Sequence, residues 1–296
     1  MAFAMERKSP PACRPIEQTG RAGWHFARRM PNLRAVSPKD TASAFPPFEI
    51  ARPDGRLGML LVCDHASNAV PSDLPACLGL PAAEMNRHIA FEIGARGVTL
   101  GLSERLGARA ILSRFSRLVI DPNRGEDDPT LVMRLYDGTI IPANRSVLPA
   151  EVERRLGLLH RPYHAALRAE IDRQAEAGAP PALVSIHSYT PQLRSRPPRP
   201  WHVGVLWHRD DRLARPLLAR LRAEPGLCVA DNAPYDGQLE GDTLSRHGTR
   251  RGLPHVLIEI RHDLIAAPES EARWADRLAP ILEDVIATAA KGDSDG

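Results

Sequence analysis

The stretch Leu57–Cys63, with the sequence LGMLLVC, decides the fold class, and the polar residues DHASN follow it at once. A short, continuous apolar run is typical of a β-strand that is buried on both faces. Similar runs are predicted as strands at residues 109–112, 116–120, 183–186, 202–207, 227–230 and 256–260. Helical spacing of apolar residues predicts one or two helices over 84–106 and further helices at 149–177 (with a break near Pro162), 213–221 and 271–290. Strands alternating with helices predict an α/β fold with a mainly parallel central sheet.

The domain organisation follows from composition along the chain. Residues 1–45 are rich in Pro, Arg and small residues without a sustained apolar period, which predicts a disordered or loosely docked extension. No linker divides residues 46–290, so we expect one catalytic domain there and a frayed tail over 291–296. The first 45 residues lack the apolar core of a secretory signal, which favours a cytoplasmic location.

Composition excludes several function classes. The 296-residue chain is 43% hydrophobic and 25% charged, as expected for a globular protein. It contains no apolar run long enough for a transmembrane helix, so no membrane association is predicted. The 39 basic and 36 acidic residues are scattered, and aromatic residues make up only 5%, which argues against a nucleic-acid partner.

Polar residues follow several of the predicted strands, and this pattern indicates a functional site. Asp64-His65 follow the first run, Asp121-Pro122-Asn123-Arg124 follow RLVI, and His187-Ser188 follow ALVSI. The run VLI ends in Glu259-Ile260-Arg261. In open α/β sheets, ligands bind outside the carboxyl ends of the strands, so we expect these side chains to meet at one rim.

The residue types at this rim are those of a metal-dependent hydrolase. Two histidines and a carboxylate are the ligands of a catalytic zinc site that keeps one position open for water. Glu259 lies inside an apolar strand, where an unpaired charge is costly, so it needs a metal, an arginine or a catalytic task. Arg124 and Arg261 could hold a substrate carboxylate in a bidentate manner.

Structural roles for the same residues stay open at this point. A single histidine at a strand end is more often a packing residue, and Glu259 could simply pair with Arg261. Asn123 and Arg124 could cap a turn after Pro122. Glu92 could pair with His88 or Arg96 on a helix as easily as it could bind a metal.

The motifs VCDHASNAVP, HIAFEIGA, SRLVIDPNR, PYH, SIHSYTP, RPWHVGVLW, DNAPYDG and SRHGTRRGLPHVLIEIRHDLI also resemble those of the N-formylglutamate amidohydrolase family, in the same order. The resemblance extends from about residue 57 to residue 285. It implies a zinc-carboxypeptidase-like (phosphorylase/hydrolase-like) fold with a mixed, eight-stranded sheet between helices. It also implies hydrolysis of N-formyl-L-glutamate to formate and glutamate, a late step of histidine catabolism.

The resemblance implies a role for each rim residue. His65, His187 and Glu92, which stands where the family usually has aspartate, become the ligands of one zinc ion. Glu259 matches the carboxylate that activates water and protonates the leaving amine, and Arg117 is expected to polarise the scissile carbonyl. Substrate contacts are expected from the remaining candidates, namely Asn123, Arg124, Ser188, Arg261, Asn68 and Tyr235.

The sequence departs from the better-known members of the family at two motifs. It has DHASN where they have a PHSG-like motif, and HSYTP where they have an HSM-like one. The chain therefore resembles a divergent branch, and N-acyl amino acids other than the formyl compound stay open as substrates. Two other functions stay open as well, a zinc peptidase or amidase acting on peptide fragments and a non-catalytic small-molecule binding protein.

Overall fold

The computed structural model describes residues 45–292, and seven strands of this part form one central sheet. The strand order across the sheet is β1–β3–β2–β6–β9–β7–β8. β1 runs antiparallel to β3, and β7 runs antiparallel to β9, while the other neighbours are parallel. The bounds are β1 Phe48–Ala51, β2 Arg56–Cys63, β3 Ala108–Ser113, β6 Ala182–Tyr189, β7 Val203–Leu206, β8 Val229–Asp231 and β9 His255–Arg261.

Helices cover both faces of the sheet, which confirms the predicted mixed, mainly parallel α/β architecture. The helices are α1 Ala82–Met85, α2 Ala95–Leu106, α3 Pro149–Arg155, α4 Arg161–Glu176, α5 Ala214–Ala223, α6 Thr243–His247 and α7 Pro268–Gly292. A π-helical segment, Leu156–His160, joins α3 to α4. Two further short strands, β4 Leu135–Tyr136 and β5 Thr139–Ile140, form a separate hairpin.

The alternation of side chains along the strands divides the core into two halves. Leu61 of β2 and Ile258 of β9 face the half that contains α2, α5 and α7. Leu60 and Leu257 face the other half, which contains α4. Because α7 ends at Gly292, the predicted frayed tail begins inside this helix, and residues 293–296 lie outside the described part. The predicted extension over residues 1–45 likewise lies outside it, apart from Phe45.

The structure resolves one expectation about the elements and contradicts two others. Of the one or two helices expected over 84–106 the structure forms two, separated by turns at residues 86–94, where Gly94 has φ +78° and a Cβ would lie 2.0 Å from the Ile265 carbonyl oxygen. Residues 116–120 form buried turns rather than a strand, since the Ser116 hydroxyl caps this segment on the Leu118 amide. The central sheet of the described chain has seven strands instead of the eight that the resemblance implied.

Candidate active site

Three predicted metal ligands meet at the carboxyl ends of the central strands. His65 follows β2, His187 lies near the end of β6, and Glu92 comes from the turns before α2. One ligand atom from each lies within 4.8 Å of the others, and all three residues are buried. Nδ1 of His65 lies 2.8 Å from Glu92 Oε1, and Nδ1 of His187 lies 2.9 Å from Glu92 Oε2.

The other ring nitrogen of each histidine is held by a buried aspartate. Nε2 of His65 lies 2.7 Å from Asp121 Oδ1, and Nε2 of His187 lies 3.2 Å from Asp64 Oδ2. A carboxylate can only accept a hydrogen bond, so each Nε2 donates to its aspartate, and Nδ1, which faces Glu92, becomes a metal ligand once it has lost its proton. Carboxylates that orient histidines in this way are a regular feature of metal sites.

These aspartates are themselves fixed by several donors. Asp64 Oδ1 accepts hydrogen bonds from the hydroxyls of Tyr163 at 2.8 Å and Thr243 at 2.7 Å. Burial alone would raise the pKa of Asp64, but hydrogen bonding to His187 and the charge of that ring outweigh burial and lower the pKa to about 2. Asp121 Oδ2 accepts from Nε and Nη2 of Arg117, and its pKa lies well below the usual range.

The charge balance of this cluster fits a divalent cation. Three ionised carboxylates, those of Asp64, Glu92 and Asp121, face the single guanidinium of Arg117, which leaves two negative charges uncompensated when the imidazoles are neutral. Without a metal, protons supply the compensation. The pKa of His187 is raised well above its ordinary value because the Glu92 and Asp64 carboxylates outweigh the effect of burial. Buried charge of one sign requires such a partner.

Glu259 lies beside this cluster but is held quite differently. It pairs in register with His187 across β6 and β9, and it is 5% exposed. Its Oε2 atom is buried and has no hydrogen-bond partner among residues 45–292. Burial, followed by the negative charge of Glu92, raises the pKa of Glu259 to about 7. Such a pKa lets the carboxyl group take up and release a proton near neutral pH.

Within residues 45–292, Glu259 does not pair with Arg261, and Glu92 does not pair with His88 or Arg96. Arg261 pairs with Asp263 rather than with Glu259. Arg96 pairs with Glu49 at 2.6 Å rather than with Glu92. His88 lies 3.4 Å from Asp137 rather than beside Glu92, and burial lowers its pKa to about 4.

The ligands and Glu259 line a cavity of about 610 Å³, which also receives most of the predicted substrate-contact residues. Arg117, Asn123, Arg124, Ser188 and Tyr235 all line it. Three of the five N–H groups of Arg117 bond to Asp121 and Glu92, so two stay available. Ser188 binds Glu92 Oε2 through its backbone N–H, while its hydroxyl donates to the Ile93 carbonyl.

Two predicted contact residues lie outside this cavity. Asn68 donates to the Met85 carbonyl at 2.9 Å and ties its loop to the end of α1. The guanidinium of Arg261 donates to the carbonyls of Arg199, Pro200 and Trp201. Both side chains stabilise neighbouring loops, and the structure does not bring them to the metal ligands.

Sequence reasoning assigned no role to several residues of the site. Tyr163 and Thr243 hold Asp64, and Asp64 and Asp121 orient the histidines. Asp64 precedes His65 directly, and Asp121 ends the apolar stretch RLVI, so their positions carried a signal. Tyr136 was missed as well; it reaches the cavity from the β4–β5 hairpin and lies 5.4 Å below the Arg117 guanidinium.

Comparisons with known proteins place this fold and this site among the amidohydrolases and identify the family. A family model described as N-formylglutamate amidohydrolase matches residues 57–266. The chain therefore belongs to the N-formylglutamate amidohydrolase family, as its motifs indicated.

Individual relatives agree with this assignment. N-formylglutamate deformylase of Pseudomonas putida is 30% identical over 156 residues, which cover 48% of this chain and 57% of that protein. The match thus spans little more than half of the relative. The crystal structure of a gene product of Agrobacterium tumefaciens is 34% identical with a TM-score of 0.78 and covers 82% of this chain and 95% of its own.

A second solved structure supports the fold. The N-formylglutamate amidohydrolase of Ralstonia eutropha is 24% identical with a TM-score of 0.57, covering 83% of this chain and 99% of its own.

None of the helices between residues 45 and 292 is long and apolar enough to cross a membrane.

Proposed function

We propose that the protein is a metal-dependent amidohydrolase that cleaves N-formyl-L-glutamate to formate and glutamate. The observation that carries the proposal is the buried His65–Glu92–His187 cluster next to the unpartnered carboxyl of Glu259 in one cavity. The family and the printed names of the relatives support the substrate. We assign the reaction to histidine catabolism in the cytoplasm.

We propose zinc as the metal, because two imidazoles and one carboxylate are the usual protein ligands of catalytic zinc. His65, Glu92 and His187 would hold the ion. When bound, it would polarise the amide carbonyl and lower the pKa of water towards ~7.

Glu259 is the proposed proton carrier. Its carboxylate takes a proton from the attacking water and then delivers it to the departing nitrogen. The net reaction adds one water molecule across the amide C–N bond, so formate receives the hydroxyl and glutamate receives the hydrogen. A buried carboxyl with a pKa of about 7 is suited to both steps.

Two arginines are proposed to bind the negative charges of the substrate and of the transition state. Arg117 has two uncommitted N–H groups, which we propose stabilise the oxyanion that develops on the carbonyl. Arg124 lines the cavity, and its Nη1 donates to the Asn123 carbonyl, so Nη2 is left for a substrate carboxylate. Asn123 and Tyr235 complete the proposed contacts.

A substrate panel tests this proposal. The zinc-loaded protein should release formate from N-formyl-L-glutamate at least tenfold faster than acetate from N-acetyl-L-glutamate, and it should spare N-formyl-D-glutamate. Release of acetate but not of formate would support the proposed hydrolase activity but contradict N-formyl-L-glutamate as the substrate. Release from neither compound would reject the proposed reaction.

A further inference from the structure

The cavity continues from Glu259 along the face of β9 as a groove. Glu259, Leu257 and His255 alternate along β9 with Val256 and Ile258, which face the opposite side of the sheet, and all three line the cavity. Glu259 and His255 are four positions apart on β9, so their backbones are separated by about 13 Å along the strand. On β7, Leu206 pairs with Leu257, and His208, two residues after this strand ends, also lines the cavity.

The character of the groove changes along its length. Leu206, Leu244 and Leu257 make an apolar middle section. The far end is marked by Thr249, whose hydroxyl lies 3.0 Å from Nε2 of His255, and by Arg250 next to it. This change predicts a ligand with an apolar stem and a polar end.

Two guanidiniums stand at the far end. Arg250 pairs with Glu240, which also lines the cavity. Arg209 donates from Nε to His208, and its two Nη groups have no acceptor within the described part of the chain. These free donors fit a carboxylate, because guanidinium nitrogens and carboxylate oxygens match in geometry.

The groove lies on the side of the cavity that would receive the amino acid. The Thr243 amide at the start of α6 donates to Asn123 Oδ1 at 3.0 Å, so the Asn123–Arg124 pair sits against the helix that walls the groove. If Arg124 holds the α-carboxylate, as proposed above, the amino-acid side chain extends into the groove and the acyl group points away from it.

A glutamate side chain does not fill this length. Four single bonds of about 1.5 Å join its amide nitrogen to its terminal carbon, which gives about 5 Å when extended. The carboxylate of glutamate would therefore end in the apolar middle section, short of Arg209. An extension that keeps the α-carboxylate for Arg124 must pass through the side-chain carboxyl.

We propose that the groove binds an N-acyl glutamate lengthened through its side-chain carboxyl by a second acidic residue, an N-formyl-γ-glutamyl peptide. This inference rests on the proposed function and names the substrate class of the same site. The bond that breaks is still the formyl amide, so water yields formate and the free γ-glutamyl peptide. Arg209 binds the terminal carboxylate beside the Arg250–Glu240 ion pair.

Kinetics with two substrates and three variants test the proposal. We expect kcat/KM for N-formyl-γ-L-glutamyl-L-glutamate to exceed that for N-formyl-L-glutamate by about tenfold or more. Arg209→Met should remove this advantage and leave N-formyl-L-glutamate unchanged, and Arg250→Met should act in the same direction. Arg251→Met is the matched control, because Arg251 pairs with Asp172 and does not line the cavity.

The outcomes separate this inference from the proposed function. Hydrolysis of N-formyl-L-glutamate with no gain from the longer compound would overturn the groove assignment alone. An equal loss on both substrates in Arg209→Met, in protein whose unfolding midpoint is unchanged, would also overturn it. Formate release from neither substrate would overturn both proposals.

Discussion

Glu92 and Glu259 are two buried glutamates of one cavity that are held in opposite ways. Glu92 accepts hydrogen bonds from His65, His187, Arg117 and the Ser188 amide, and its pKa lies well below the usual range. Glu259 has a buried oxygen without a partner among the described residues, and its pKa is raised to about 7. This difference supports the proposal that Glu92 holds the metal and that Glu259 transfers the proton.

The two carboxylates differ because of the backbone that carries them. Glu92 stands among turns, where side chains from several segments converge on it. Glu259 stands in the middle of the sheet, between β6 and β7, where the main-chain groups are engaged in the ladder. Gly204 of β7 pairs with Glu259 of β9, and a glycine has no side chain that could bind the Glu259 carboxyl.

The largest effect is expected from Glu259→Gln. Without a proton carrier, formate release should fall by at least about a hundredfold, since general acid–base catalysis contributes 10²–10⁴-fold. Metal content should be unchanged, because Glu259 is outside the ligand cluster. Metal analysis together with a formate assay measures both. Loss of the metal in this variant would make Glu259 a ligand and contradict the comparison.

Asp121→Asn should weaken metal binding by about 10–100-fold, because the amide orients His65 less firmly than the carboxylate does. A competition titration with a chromogenic chelator measures the affinity of the folded protein. Asp242→Asn is the matched control. Asp242 lines the same cavity but caps α6 on the Ser245 amide and contacts no ligand. Equal losses in the two variants would argue against an orienting role for Asp121.

Arg124→Ala should raise KM by about tenfold and change kcat little, because a carboxylate clamp binds the ground state and the transition state alike. Steady-state kinetics on N-formyl-L-glutamate separate the two constants. Arg161→Ala, which removes an exposed ion pair with Glu126, should leave both unchanged. An unaltered KM in Arg124→Ala would remove this residue from the site.

A smaller effect is expected on the stability of the metal-free protein. The folded state raises the pKa of Glu259 from 4.5 to about 7, so stability is lost as pH rises from the lower value to the higher one. Glu259→Gln removes this penalty and should stabilise the apo-protein at pH 8 by about 3 kcal/mol, with the gain vanishing near pH 4.5. Urea unfolding at both pH values measures it. A gain that did not depend on pH would contradict the assigned burial penalty.

Glu92→Gln should have the opposite sign. The folded state lowers the pKa of Glu92, so its carboxylate stabilises the protein above the unfolded pKa, and that stability is lost as pH falls through the folded pKa. The variant should therefore be less stable than the wild type at pH 8. Stabilisation by both substitutions would contradict the claim that the fold shifts the pKa values of the two carboxylates in opposite directions.

The sequence predicted the strand that His65 follows and the strands that contain His187 and Glu259. It did so because each includes a continuous apolar run of the length of a buried strand. It failed at residues 116–120, which also contain an apolar run, LVI, but whose backbone turns, with the Ser116 hydroxyl accepting from the Leu118 amide. Burial is what the pattern detects, and a buried turn and a buried strand look alike at this length. The backbone at Gly94 and the hydrogen bonds of Arg261 depend on contacts with distant segments, which spacing along the chain does not report.

The measurement that tests the central claim most directly is metal content coupled to activity. Protein purified without added metal should contain about one zinc ion per chain. Formate release from N-formyl-L-glutamate should stop on chelation and return when zinc is added back, and His187→Ala should bind no zinc. A protein that contains no metal, takes up none and still releases formate would contradict the account.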